Sequence, residues 1–477
     1  MYCTTVDEFK RVIDSTSIEL ITSDSRRVRP GSVFVAIRGH DRDGHSYIEN
    51  AKRSGAIALI TESFVDCELP TLVVPDIRHK ISEVVHSLLD FTYPNLTAVT
   101  GTNGKSSTTV WIAECRQFLN VTAATIGTLG VLHLPTHTHI DTGLTTPGAV
   151  ETQSLLARLD RLGTDAVSIE VSSHALDQGR VNDLPFDSAH FTNLTRDHLD
   201  YHGSMESYFE SKAKLFEWPS LKCRIINIDD TYGRKLFARY PDALTYGLGE
   251  DSQFRATNIR YLTSGLCFEI HYPDGQLSVS VSVMGQFNVY NLLGVFAQLW
   301  FDGIPGPRIV EALEQLKPVS GRMELVDGHD IGVAVDYAHT PDALTQVLNS
   351  AAFHTEGRVW CVFGCGGDRD RGKRPEMARA VELSGAYAVL TSDNPRTENP
   401  ELILDDAMAG FKDADKVNRI KDRAQAIDYA IQNARQGDIV IVAGKGHEDY
   451  IDVNNKKVPW SEFKAIHSSL SKRRGRQ

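Results

Sequence analysis

Apolar and polar positions alternate along this chain in two rhythms. In residues 1–93, strand-like apolar runs at 33–37, 56–61 and 71–74 are interleaved with helix-like spacing at 47–53 and 77–91, which predicts a small α/β unit. Tyr93-Pro94-Asn95 reads as a hinge. A larger block, 94–317, opens with a strand at 96–99 and a helix at 108–119 that places Val110, Ile112, Ala113, Cys115 and Leu119 at roughly helical spacing. Within it, 262–283 alternates as strands around the turn Pro273-Asp274-Gly275. Beyond Pro318 the α/β rhythm resumes, with strands expected at 332–336, 359–363, 386–390 and 438–442. The expectation is three α/β domains, 1–93, 94–317 and 318–477, with no internal repeat.

Between the strand at 96–99 and the helix that follows lies Thr100-Gly101-Thr102-Asn103-Gly104-Lys105-Ser106-Ser107. Glycines there let backbone N–H groups curl around phosphate oxygens, and the positive end of the helix faces the anion. Lys105 would reach the outer phosphates and Ser106 would ligate Mg²⁺. Val99 stands where the usual phosphate loop has its first glycine, so the form is a shorter G-x-x-G-K-S. A bare Gly-Lys-Ser turn is the alternative, and the correct flanks favour phosphate. Residues 166–170 form an apolar strand ending in Glu170, a candidate Mg²⁺ ligand because that hard cation prefers oxygen; a solvated strand-end acid is the competing reading. Residues 192–202, with Asp197, His198, Asp200 and His202, are dense in groups that hold metal or phosphate. His133, His137 and His139 surround Pro135 and read as a polar surface loop. Gly364-Cys365-Gly366-Gly367-Asp368-Arg369 starts like a dinucleotide fingerprint, but Arg369 occupies the third glycine's place, which argues against hydride-transfer chemistry.

A net charge of −12 over 477 residues makes a nucleic-acid surface a poor expectation. Lys472, Arg473, Arg474 and Arg476 read as a solvated tail. No apolar run approaches membrane-spanning length and the N-terminal residues lack a signal-peptide layout, so a cytoplasmic protein without membrane insertion is expected. Seven cysteines make no disulfide framework; reduced, mostly buried thiols are expected.

Taken together, the motifs resemble those of the Mur ligases, ATP-dependent amide-bond-forming enzymes of cell-wall precursor synthesis. The resemblance runs through the whole chain: Asp24-Ser25-Arg26; the phosphate loop; Thr145-Thr146-Pro147; Glu170-Val171-Ser172-Ser173-His174; Tyr208-Phe209-Glu210-Ser211-Lys212; Asp336-Tyr337-Ala338-His339-Thr340-Pro341; Gly366-Gly367-Asp368-Arg369-Asp370; Asp393-Asn394-Pro395-Arg396; and Gly444-Lys445-Gly446-His447-Glu448. It is closest to the branch that adds meso-diaminopimelate to UDP-N-acetylmuramoyl-L-alanyl-D-glutamate.

The resemblance implies a UDP-sugar-binding first domain, a central P-loop ATPase-like domain with a mostly parallel sheet, and a C-terminal Rossmann-like domain that binds the amino acid. It implies ATP contacts at Gly101, Thr102, Asn103, Gly104, Lys105, Ser106, Ser107, Asn288, Arg322 and Asp336, although Asn288 could be a helix-start cap. Mg²⁺ would be held by Ser106, Glu170, His198 and Lys212, the last as a carbamate (N6-carboxylysine), since an ammonium beside metal ions would be repelled; a lysine on an exposed helix face is the alternative. Lys105, Glu170, His198 and Lys212 are the implied catalytic residues. Ser25, His40, Thr145, Thr146, Ser172, Gln178 and Arg180 would hold the UDP-sugar dipeptide, and Ser172 could equally be a cap. Arg369, Asp393, Asn394, Pro395, Arg396, Gly444 and Glu448 would bind meso-diaminopimelate, with arginine forks reading its distal carboxylate. L-Lysine lacks that carboxylate and would leave Arg396 and Arg369 buried without a partner, at about 1 to 3 kcal/mol or more. A monomer is expected. The rival readings are the same chemistry with L-lysine or another amino acid, a folylpolyglutamate synthetase, and a non-catalytic ATP-binding regulatory module.

Overall fold

The structure, a computed structural model, describes residues 1–13, 18–38, 43–262, 265–328 and 330–475. Its contacts divide into two compact units: Met1–Thr100 with Arg116–His190 and Tyr208–Arg224, and Gly101–Cys115 with Phe191–Ser207 and Ile225–Gln477.

In the first unit, five parallel strands line up in the order Tyr2–Cys3, Thr71–Val73, Ala56–Thr61, Ser32–Ala36, Leu20–Thr22. Alternation decides which face each residue serves. Val33, Val35 and Ile60 pack with Ile77, Ile81 and Val85 of the helix Ile77–Leu89 on one side, while Phe34, Ala36 and Leu59 pack with Ile48 and Ala51 on the other. Both faces are covered, as parallel strands require. A second set in this unit pairs Asn95–Thr100, Ala166–Glu170 and Ala123–Gly127 in parallel, then adds Gly130–His133 and Thr138–Ile140 antiparallel. The surface loop expected around the histidines is therefore a hairpin: His133 is a buried strand residue bonded to Thr136 Oγ1 at 2.7 Å, and His139 meets the Leu129 carbonyl at 2.8 Å.

In the second unit, Phe254–Leu262, Gly265–Tyr272 and Gly275–Val281 form an antiparallel meander, turning where Pro273-Asp274-Gly275 predicted. The helix Gln286–Phe301 is buried almost all round. Six strands follow in the order Glu324–Gly328, Ile331–Asp336, Ile439–Ala443, Val359–Phe363, Tyr387–Leu390, Asn418–Arg419, all parallel except the first edge strand. Val333, Val335, Val362, Val440 and Val442 fill one face of this sheet; Ala334, Cys361, Phe363, Ile441 and Leu390 fill the other. The basic C-terminus is not wholly a solvated tail. Arg473 is 11% exposed and pairs with Asp330 while capping the Ile431 and Ala434 carbonyls, because the helix Glu462–Arg474 packs against the sheet. The cysteines are all free thiols, five of them buried.

Candidate active site

The phosphate loop is built as its glycines demand. Gly104 has φ +83° and a Cβ there would overlap Asn291 Oδ1; Gly101 has φ +149° and faces Thr192. The loop is pinned by Thr102 N to Asn193 O and Asn103 N to Asn193 Oδ1, both at 2.9 Å, and Thr192 Oγ1 donates to Asn103 O at 2.6 Å. Lys105 opens the helix Lys105–Phe118 and its Nζ donates to the Gly101 and Thr102 carbonyls at 3.0 and 2.8 Å, so the cation lies over the loop. Ser106 Oγ accepts from Arg322 at 3.2 Å, and the Arg322 guanidinium stacks 4.6 Å from the Tyr337 ring centroid. Asp336 accepts from the Met323 and Ala338 amides at 2.7 Å; burial pushes its carboxyl up, opposed by Arg322 and those amides. Asn288 is not a helix-start cap. Its buried amide donates to Met284 O and accepts from Asn291, which ties the helix Gln286–Phe301 to the residue beneath Gly104.

His198 takes a left-handed backbone (φ +53°), and its amide bonds Asp197 Oδ1 at 2.9 Å. Asp197 also pairs with Lys373 at 2.8 Å. Burial would raise the Asp197 carboxyl, but His198, the Lys373 hydrogen bond and charge, and His339 outweigh it and pull it down to about 2.

In the first unit, Glu170 ends its strand opposite Val99, the penultimate residue of the strand that leads into the phosphate loop. It is 2% exposed and both its oxygens accept from Thr128, at 2.9 Å from the amide and 3.1 Å from the hydroxyl. Thr128 Oγ1 meets Thr145 Oγ1 at 3.1 Å; Thr146 Oγ1 donates to Glu170 O at 2.7 Å and accepts from Ser172 N; Arg180 donates to Thr146 O at 2.9 Å and to Gln178 Oε1. Five of the residues expected to hold the dipeptide substrate thus form one network with Glu170. Ser172 is also the cap of the helix Ser173–Asp177, as its alternative reading expected. Lys212 is 1% exposed with its Nζ 4.8 Å from the Tyr208 ring centroid, which removes the exposed-face alternative. Ser25 sits half-buried in a turn capped by Asp24, outside this network, and His40 lies outside the described residues.

The residues expected to bind the amino acid all follow carboxyl ends of parallel strands: Arg369 after Val359–Phe363, Asp393 to Arg396 after Tyr387–Leu390, and Gly444 to Glu448 after Ile439–Ala443. That is where an open α/β sheet places its ligand crevice. Arg396 has a left-handed backbone (φ +50°) held on both sides by a hairpin strand, through Arg396 N to Asp452 O at 2.9 Å and Asn454 N to Arg396 O at 2.7 Å, and its Nη1 donates to Gly367 O at 2.6 Å. Asn394 Nδ2 donates to Glu448 Oε2 at 2.8 Å. Lys445, fully buried, reaches both residues. Arg369, by contrast, is exposed, so the desolvation cost expected of an unmatched arginine falls on the three-quarters-buried Arg396 and not on Arg369. Sequence reasoning passed over Thr128, Asn291 and Lys373 and gave Lys445 no role within its motif, because each has a partner distant in the chain.

These features define an α/β enzyme with a phosphate loop, a buried strand-end acid and a separate, mostly parallel six-stranded sheet whose strand-end loops carry Asn394, Arg396 and Glu448. Three family profiles match: the Mur ligase family catalytic domain at residues 17–93, the Mur ligase middle domain at 99–299, and the Mur ligase glutamate ligase domain at 321–446. The UDP-N-acetylmuramoyl-L-alanyl-D-glutamate--2,6-diaminopimelate ligase of Chromobacterium violaceum is 43% identical, covering 95% of this chain and 94% of that protein, and the one from Ralstonia nicotianae is 42% identical over 95% and 93%. A solved structure titled as the same ligase is 36% identical, with a TM-score of 0.69 and 95% of each chain covered. The chain belongs to the Mur ligase family and has its three-domain α/β architecture.

Proposed function

We propose that this protein joins meso-diaminopimelate to the D-glutamyl side-chain carboxylate of UDP-N-acetylmuramoyl-L-alanyl-D-glutamate, using ATP, in the cytoplasmic synthesis of peptidoglycan precursors. The observation that carries the reading is that Arg396 and the hydrogen-bonded Asn394–Glu448 couple lie on loops that leave the carboxyl ends of parallel strands in one sheet, offering a cation and an anion. Such a pair suits the distal zwitterion of meso-diaminopimelate, whose carboxylate meets an arginine fork and whose ammonium meets Glu448 and the Gly444 carbonyl. L-Lysine offers only the ammonium.

The substrate carboxylate attacks the γ-phosphorus of ATP, forming an acyl phosphate and releasing ADP; the amine then attacks the acyl carbon and expels phosphate. Lys105 and the loop amides hold the phosphates, Asn288, Arg322 and Asp336 position the nucleotide, and Thr145, Thr146, Ser172, Gln178 and Arg180 orient the acceptor carboxylate, with Ser25 toward the uridine diphosphate end. The oxygen donors Ser106 and Glu170 suit Mg²⁺, with His198 and a carbamate on Lys212 completing the sites. Mg²⁺ would neutralise phosphoryl charge as it spreads in the transition state. The carbamate arises when the neutral Lys212 amine adds to CO₂, forming an N–C bond and losing one proton. Residues 1–93, 94–317 and 318–477 are assigned to UDP-sugar, ATP and amino-acid binding, in a monomer. No helix among the described residues is long and apolar enough to cross a membrane.

The test is phosphate release by the purified protein with Mg²⁺ and ATP. Release is expected only when the UDP-linked dipeptide and meso-diaminopimelate are both present. Release that ignores meso-diaminopimelate, or equal use of L-lysine, would reject the assignment.

A further inference from the structure

Gly444 (φ +113°) and Gly446 (φ +52°) flank Lys445 where the chain leaves the strand Ile439–Ala443. The turn drives the lysine inward, and its side chain is fully buried. A buried ammonium needs its charge and its three donors met. Its partners are Asn394 Oδ1 at 2.8 Å, Glu448 Oε2 at 3.1 Å and Asp393 Oδ1 at 3.3 Å. All three belong to the amino-acid crevice.

The geometry points to Lys445 as the positioning residue for the amine end of the diaminopimelate pocket, an inference that rests on the proposed function. Its first effect is on Asn394. The side-chain oxygen accepts from Lys445 and from Asp452 N at 2.9 Å, so the amide nitrogen must face Glu448. Its second effect is on Glu448, whose Oε2 is committed to two donors, Lys445 and Asn394 Nδ2. That fixes the carboxylate plane and leaves Oε1 for the substrate ammonium. The third effect is on charge. Asp393 Oδ1 is buried and makes no hydrogen bond, so Lys445 compensates it through charge alone. Arg423, buried close by, is already matched by Glu462. Two acids against one lysine leave a single negative charge, the complement of one ammonium. Without Lys445 the two acids would repel, and Glu448 would lose its fixed orientation.

Steady-state phosphate release by the full-length protein tests this. Lys445→Met should raise the KM for meso-diaminopimelate roughly tenfold or more, with the KM for ATP changed less than about twofold and kcat at saturation reduced less than the KM is raised. A thermal melt and ATP binding check that the variant is folded. Lys445→Met/Glu448→Gln removes one of the two acids that Lys445 faces, and with it their mutual repulsion, and so keeps the test open if the single variant unfolds. Because Lys445 acts through Glu448, the double variant should have a KM no higher than Glu448→Gln alone. An unchanged KM for meso-diaminopimelate in folded Lys445→Met, or a double variant markedly worse than Glu448→Gln, overturns the proposal. Wild-type phosphate release that does not depend on meso-diaminopimelate overturns the proposed function instead.

Discussion

Replacing Arg374 by methionine should destabilise the C-terminal sheet domain by about 3 kcal/mol, while loosening the two loops that carry Arg369 and Arg396. The guanidinium is 1% exposed. Its Nη1 donates to Glu398 Oε2 at 3.0 Å and Asp406 Oδ2 at 2.8 Å, and its Nη2 donates to Glu398 Oε1 at 2.6 Å and Gly366 O at 3.3 Å. Glu398 Oε1 also accepts from Asp368 N at 2.5 Å, so one arginine ties the loop after Val359–Phe363 to the loop after Tyr387–Leu390. Removing one partner of a buried ion pair costs about 3 to 5 kcal/mol. The low end applies because Glu398 and Asp406 are 24% and 30% exposed and regain part of their hydration. Arg371 supplies the control: it bonds the same Asp406 oxygen at 2.9 Å but is 64% exposed, so Arg371→Ala should cost less than about 1 kcal/mol. With about 2 to 4 °C per kcal/mol for a domain of 150–250 residues, the calorimetric transition should fall by roughly 6–12 °C for Arg374→Met and hardly move for Arg371→Ala. The pH dependence has a definite sign. The Arg374 hydrogen bond lowers Glu398, and Arg371 with Arg374 lowers Asp406. The stabilisation is present above the ordinary carboxylate range and is lost as pH falls through the depressed values, so the gap between wild type and Arg374→Met should close below about pH 4. Equal shifts for the two arginine variants, or a gap that widens in acid, would refute the argument.

Gly104→Ala forces a side chain onto Asn291 at a left-handed backbone position and should abolish measurable ATP binding by calorimetry; Gly163→Ala, equally left-handed but facing open space, should leave ATP affinity intact. Arg396→Ala should cut the use of meso-diaminopimelate far more than ATP binding, and an unchanged preference over L-lysine in competition would count against the arginine fork. Lys212→Ala should be nearly inactive and partly rescued by small carboxylic acids; no rescue in a folded variant would count against the carbamate.

Local chemistry was legible in the chain, and long-range chemistry was not. The phosphate loop could be read because glycines, a lysine and a strand-to-helix switch are contiguous requirements. Glu170 could be found because an apolar strand ended in an acid, but Thr128, which orients it, is 42 residues away. Arg374 and its acids are 24 and 32 residues apart, and Lys445 lies 51 residues from Asn394. Nothing in spacing alone announces such partners. The hairpin at residues 130–140 was hidden because three histidines and a proline outweighed a short alternating pattern, and tertiary pairing overrode that local signal.

The incomplete fingerprint at Gly364 to Arg369, already rejected in sequence as a cofactor site, serves another end in structure. In a dinucleotide fold the glycines admit a pyrophosphate and bring a helix close to its strand. Here they admit a neighbouring loop. A Cβ on Gly364 would meet Thr391 O at 2.6 Å, and one on Gly367 would overlap Pro395 O, so both glycines exist to let the loop carrying Asp393, Asn394 and Arg396 lie against them. Gly367 N then donates to Asn394 O at 2.9 Å and Gly367 O accepts from Arg396, which fixes the backbone and side chain of residues proposed to read the amino acid. With backbone contact replacing a bound cofactor, the fingerprint's third position is released from packing. An exposed arginine can occupy it, where a glycine would contribute no charge.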